Sequence, residues 1–153
     1  MTIRLISLAD GEVVNIGPIR TRILEDGGDT GHRLGVVEVS LQPGTAGPPQ
    51  HIHREHDETF FVVSGKVRFT SGEEHIDASP GSLLTVPIGV PHTFANPDQD
   101  DSAVMLCTVS PDRYISYFRD LAAAAKETGR LEPGAILEIM GLYATEPYQR
   151  PGA

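Results

Sequence analysis

Through position 109, clusters that turn the backbone recur about every 8 to 12 residues. The breaks are Gly17-Pro18, residues 25–31 (EDGGDTG), residues 43–49 (PGTAGPP), Gly65, residues 78–81 (ASPG) and residues 87–91 (PIGVP). Glycine and aspartate tolerate the backbone angles of tight turns, and proline fixes them. Between the breaks lie short candidate strands at 12–16, 21–24, 34–41, 58–64, 66–70, 74–77, 82–86, 91–95 and 103–109. In 34–41 (LGVVEVSL) the residues Val37, Val39 and Leu41 alternate with Glu38 and Ser40, the period of a half-buried strand. Short strands at this spacing predict a β-sandwich or barrel, and no long helical period interrupts them to build a parallel βαβ sheet.

The pattern changes at Ser110-Pro111. Ser110 is placed to cap a helix that has Pro111 at its first position. Tyr114, Tyr117 or Phe118, Leu121 and Ala125 then recur at helical spacing, and Gly129 is placed to end that helix. A second helix is predicted from Pro133, with Ile136, Leu137, Met140 and Tyr143 on its apolar face. The expected organisation is a β domain over 1–109 and a helical tail over 110–153, packed on the β domain or in a dimer interface.

Charge narrows the partners. Twelve Lys and Arg face 21 Asp and Glu, a formal charge of −9, and no basic stripe is visible. Such a surface repels phosphate backbones and anionic lipid, so no nucleic acid and no membrane partner is expected. The single cysteine, Cys107, forms no internal disulfide and reads as a buried inert thiol. The first residues, MTIRLISLADGE, are too interrupted for a signal peptide, and a cytoplasmic location is expected. Apolar tail helices and sheet edges commonly associate, and a homodimer is expected.

The chemistry concentrates in residues 51–58 (HIHREHDE), where three of the six histidines fall within six positions. His51 and His53 are two apart, so on an extended strand both point to one side and can share a metal ion at about 2.0–2.1 Å each. Glu58 lies past a bend and can bring a carboxylate. His92, after the turn 87–91, is the best candidate for a fourth ligand. By alternation Phe60 lies on the side of Glu58, and Phe94 on that of His92. With Met105 these residues are the expected walls of a substrate pocket. His56 reads as a surface residue or one lying behind the ligands; His32 and His75 read as surface or satisfied core residues, and Glu55 and Asp57 as solvated. Neither a phosphate-binding glycine loop nor a calcium loop is present, since EDGGDTG lacks the ligand spacing.

These residues resemble the two motifs of the cupin superfamily. The first, G-x5-H-x-H-x(3,4)-E-x6-G, is met by His51, His53, Glu58 and Gly65; its leading position holds Thr45, with Gly44 one residue earlier. The second, G-x5-P-x-G-x2-H-x3-N, is met throughout by Gly81, Pro87, Gly89, His92 and Asn96. The resemblance implies a single antiparallel β-barrel of the jelly-roll type. It also implies one divalent transition-metal ion per chain (Fe, Ni, Co, Cu, Mn or Zn), held by His51, His53, Glu58 and His92.

A narrower resemblance, carried by residues 17–38 and the helical tail, is to bacterial quercetinase-like cupins. It implies a dioxygenase that acts with O2 on a small aromatic or enol-type substrate, with Glu58 as both ligand and general base. Fold and metal set do not fix the reaction. A small-molecule binding or sensing cupin and a metal-dependent isomerase or cyclase are the alternatives.

Overall fold

A computed structural model describes residues 2–128 and 132–150. Its largest sheet has six strands in the order β1-β2-β3-β10-β5-β8. These are β1 (Glu12–Ile16), β2 (Ile19–Glu25), β3 (Gly35–Leu41), β5 (Asp57–Ser64), β8 (Leu83–Val86) and β10 (Ala103–Ser110), each antiparallel to its neighbours. A second sheet holds β7 (Glu74–Ala78), β6 (Val67–Ser71) and β9 (Thr93–Ala95). The third is a pair, β4 (His51–His53) with β11 (Thr145–Pro147).

The alternation read in the sequence decides what faces inward. Val37, Val39 and Leu41 of β3, Phe60 and Val62 of β5 and Ala103, Met105, Cys107 and Val109 of β10 are all buried. Burying each large apolar side chain stabilises the fold by about 1.5–3 kcal/mol. Phe60 reaches across to Phe69 of β6 and Phe94 of β9, with ring centroids 5.3 and 5.9 Å apart. The large and small sheets thus enclose one core in jelly-roll fashion, although their hydrogen-bond ladders do not join into one closed barrel. Gly65 closes the turn between β5 and β6 at φ +72°, where an added Cβ would sit 2.4 Å from the Ser102 carbonyl oxygen. Only glycine fits that crossing.

The tail departs from its sequence reading in three ways. Ser110 does not cap a helix: its hydroxyl donates to the Arg33 carbonyl at 3.0 Å. A single 3₁₀ turn (Asp112–Tyr114) precedes helix α1 (Ile115–Thr128). The predicted stop at Gly129 lies outside the described residues. In helix α2 (Pro133–Leu142) Met140 is buried and Ile136 packs on the core as predicted, as does Tyr143 just beyond the helix, but Leu137 is exposed and Ile139 packs on the core in its place. Finally, the tail is not wholly helical. It ends in β11, a strand with no sequence signal, which returns to the β domain and pairs with the histidine strand β4. Among the described residues no helix is long and apolar enough to cross a membrane.

Candidate metal centre

Strand β4 buries both of its histidines and leaves Ile52 between them partly exposed. His92 is fixed opposite His51 by a reciprocal pair of backbone hydrogen bonds, each 3.0 Å. Glu58 opens the inward face of β5 and is buried. Residues separated by up to 41 positions thus meet, with ring centroids 4.5 Å apart for His51–His92, 4.8 Å for His51–His53 and 5.1 Å for His53–His92.

The partners of the rings settle their tautomers. His51 Nδ1 lies 2.9 Å from the Pro49 carbonyl oxygen, and His92 Nδ1 lies 3.2 Å from that of Val90. A carbonyl only accepts, so each Nδ1 donates. His53 Nδ1 lies 2.8 Å from the Thr145 hydroxyl, whose own proton goes to the Tyr143 carbonyl at 3.1 Å. That hydroxyl must therefore accept from His53. With Nδ1 donating in all three rings, Nε2 is the nitrogen left to ligate, in the arrangement that metal-bound histidines adopt.

Those nitrogens face a carboxylate. Glu58 Oε2 is 2.9 Å from His92 Nε2 and 3.4 Å from His53 Nε2. One proton can satisfy the first contact, but His53 Nε2 remains buried without a hydrogen-bond partner. Lone pairs aimed at an anion in a dry site repel one another unless positive charge lies among them. The ligating nitrogens of His51, His53 and His92 fall within 4.8 Å of one another, so the donor set fits a transition-metal ion in type and spacing. Burial, reinforced by neighbouring His92 and His53, pushes His51 down to about 3 and keeps it neutral. Burial alone would raise Glu58, but its contacts with His53, His56 and His92 draw it well below the usual carboxylate range, a direction that needs a proton or an ion between those nitrogens and the carboxylate.

His51 and Glu58 open onto a cavity of about 260 Å³. Phe60 and Phe94 line it, as does Cys107, whose thiol burial pushes up and makes unreactive. Met105 does not: its side chain is wholly enclosed in the core between β3 and β5. The wall expected from Met105 comes instead from the tail, as Tyr114, Tyr117, Phe118 and Leu121. Burial raises both phenols, Tyr117 to about 12, so both keep their protons as donors. Among the described residues no Lys or Arg lines the cavity.

His56, read from sequence as surface or supporting, is as deeply buried as the other three, with its Nε2 3.7 Å from Glu58 Oε1. His32 and His75 lie elsewhere, exposed, beside Asp112 and Thr70.

Residues 37–109 match the family described as Cupin domain. The chain carries a cupin domain. This cupin is 28% identical over 90 residues to a quercetin 2,3-dioxygenase of Bacillus subtilis, a match that takes in 59% of the chain and 26% of the enzyme. It is 43% identical over 67 residues to an uncharacterised protein of Streptomyces coelicolor, covering 44% of the chain and 62% of that protein. The chain thus spans about a quarter of one curated relative and under two thirds of the other. Among solved structures, KdgF from Halomonas sp. superposes with a TM-score of 0.65 at 22% identity, over 75% of this cupin and 99% of KdgF. That likeness shows the fold alone.

Proposed function

We propose that this cupin is a mononuclear metal-dependent dioxygenase acting on a small aromatic or enol-type substrate. One observation carries the reading: an ionised, buried carboxylate stands among three inward-facing imidazole nitrogens, on the wall of an aromatic cavity that, among the described residues, holds no cationic side chain. The partial likeness to a quercetin 2,3-dioxygenase supports it. His51, His53, Glu58 and His92 would hold the ion, which supplies Lewis acidity and redox capacity when bound.

The chain's own residues account for the remaining steps. Phe60, Phe94 and Phe118 exclude water and offer flat apolar faces to a ring. Glu58, ionised and buried, accepts the proton of an enol or phenol hydroxyl at a carboxylate oxygen. Tyr114 and Tyr117 stay protonated; Tyr114 donates to the Tyr117 hydroxyl, whose own proton is left to donate to an oxygen elsewhere on the substrate. An anionic sugar phosphate finds no Lys or Arg on these walls among the described residues.

Elemental analysis of freshly purified protein, followed by an oxygen electrode with flavonols and enediols, tests the reading. The expected result is one transition-metal ion per chain and oxygen uptake that depends on substrate. Product formed without oxygen uptake would make the protein an isomerase or cyclase. Ligand-induced stabilisation with no product would make it a binding cupin.

A further inference from the structure

We infer that His56 belongs to the metal centre, as the third member of a second donor set made with His53 and Glu58. The inference rests on the proposed metal-binding reading and extends it to a residue at an unspecified position of the cupin motif.

His56 sits in the turn between β4 and β5, where side chains ordinarily face water, yet it is only 4% exposed. Its ring lies 4.0 Å from that of His53 and 4.4 Å from that of Tyr114, centroid to centroid. Its Nε2 is buried without a hydrogen-bond partner and stands 3.7 Å from Glu58 Oε1, too far for a hydrogen bond. A buried unpaired nitrogen beside a carboxylate is costly unless something else joins them. Two ligands at about 2.1 Å from one ion are separated by about 3.4 Å in tetrahedral geometry and by at most about 4.2 Å. The His53–Glu58 and His56–Glu58 separations of 3.4 and 3.7 Å fall in that range, and the three ligating atoms lie within 4.8 Å of one another.

The two donor sets share His53 and Glu58. Glu58 presents Oε2 to His53 and His92 and Oε1 to His56, so it serves either set without turning. His53 Nε2 has one lone pair, so the sets are alternatives for one ion and not sites for two. They differ in what they face: His51 of the first lines the cavity, whereas His56 of the second does not and lies against Tyr114. The second set is a retracted position that keeps the ion when the first loses its hold.

Cobalt(II) titration of metal-stripped protein, read by its absorption spectrum and by chelator competition, tests this. Wild type and His56→Ala should each bind one ion per chain, because the first set is intact in both. The pair His51→Ala/His92→Ala leaves the first set with only His53 and Glu58, and should still bind one ion. Adding His56→Ala to that pair should abolish binding. Copper(II) loading of the pair should show two coupled nitrogens by electron paramagnetic resonance. Should the alanine pair not fold by circular dichroism, His51→Asn/His92→Asn carries the same comparison. A folded pair that binds no cobalt, or binds it equally well without His56, overturns the inference and leaves the cupin-motif site standing. Wild type that takes up no transition metal overturns both.

Discussion

His53 and Thr145, 92 positions apart, are joined by a 2.8 Å hydrogen bond that decides which nitrogen of the ring is free to ligate. Thr145 performs this role because its proton is already committed to the Tyr143 carbonyl and because β11 is paired with β4 at that register. Removing the hydroxyl frees the ring to rotate or to take the other tautomer. Thr145→Val should weaken metal binding about 10–100-fold, the usual effect of losing a group that orients a ligating histidine. Thr145→Ser should restore it. Chelator competition gives both constants, and equal affinities for Val and Thr would remove Thr145 from the account.

Neutral buried histidines make the metal-free protein acid-sensitive. His51 is held down to about 3 by burial, and burial also lowers His53, whereas both titrate near 6.5 when unfolded. A depressed folded value means that the unfolded chain takes up protons first, so stability present above pH 6.5 is lost as pH falls toward 3. Each such group contributes a slope of up to about 1.4 kcal/mol per pH unit. Glu58, also depressed, adds to the loss only below its unfolded value of 4.5. Urea midpoints of the chelated protein should therefore fall between pH 6.5 and 4.5, and His51→Asn should flatten that slope. A midpoint independent of pH in that window would contradict the assignment.

These dependencies explain what could be read in the chain before its structure. Val37, Val39 and Leu41 announced β3 because a period of two survives in any half-buried strand. His51, His53, Glu58 and His92 were legible because ligand spacing along adjoining strands is itself a local pattern. His56 was not, because the bend before β5 has no period from which its direction could be inferred. Thr145 lies in a three-residue strand ending in proline, too short to alternate. Met105 was misplaced because alternation gives the inward face of β10 but not which inward residues border a void. That is set by where Tyr114, Tyr117 and Phe118 dock.

The cavity and the metal donors are separable. Ile136 of α2 lines the cavity and carries no atom that can ligate a metal. Ile136→Trp should fill part of the 260 Å³ and weaken binding of an aromatic ligand tenfold or more, on the order of 1.4 kcal/mol, while metal content stays unchanged. Fluorescence titration with a flavonol alongside elemental analysis measures the two. Unaltered ligand affinity would place the ligand elsewhere.

Gly47 tests the opposite wall. Its amide donates to the Phe94 carbonyl at 2.9 Å, and an added Cβ would stand 2.1 Å from that same oxygen. The obstacle is backbone, so it cannot swing aside. Gly47→Ala should cost about 1–3 kcal/mol of stability as the loop is forced off β9. Chemical denaturation with an unchanged midpoint would show that the loop yields freely.

The outer face of the large sheet bears on the expected dimer. Phe61 pairs with Leu83 on one side and Leu106 on the other, so three apolar side chains lie abreast across β8, β5 and β10. Phe61, Val63 and Leu83 are 41, 47 and 61% exposed, and Ile3, Leu5 and Leu8 of the strandless N-terminal segment are more exposed still. A soluble monomer rarely leaves so contiguous an apolar strip in water. We propose that a second copy covers it about a two-fold axis. Light scattering at low micromolar concentration should give twice the chain mass of 16.5 kDa. Phe61→Glu should return the single-chain mass with metal content intact, because its side chain faces away from the histidines. Wild type eluting as one chain would mean that this face is simply exposed.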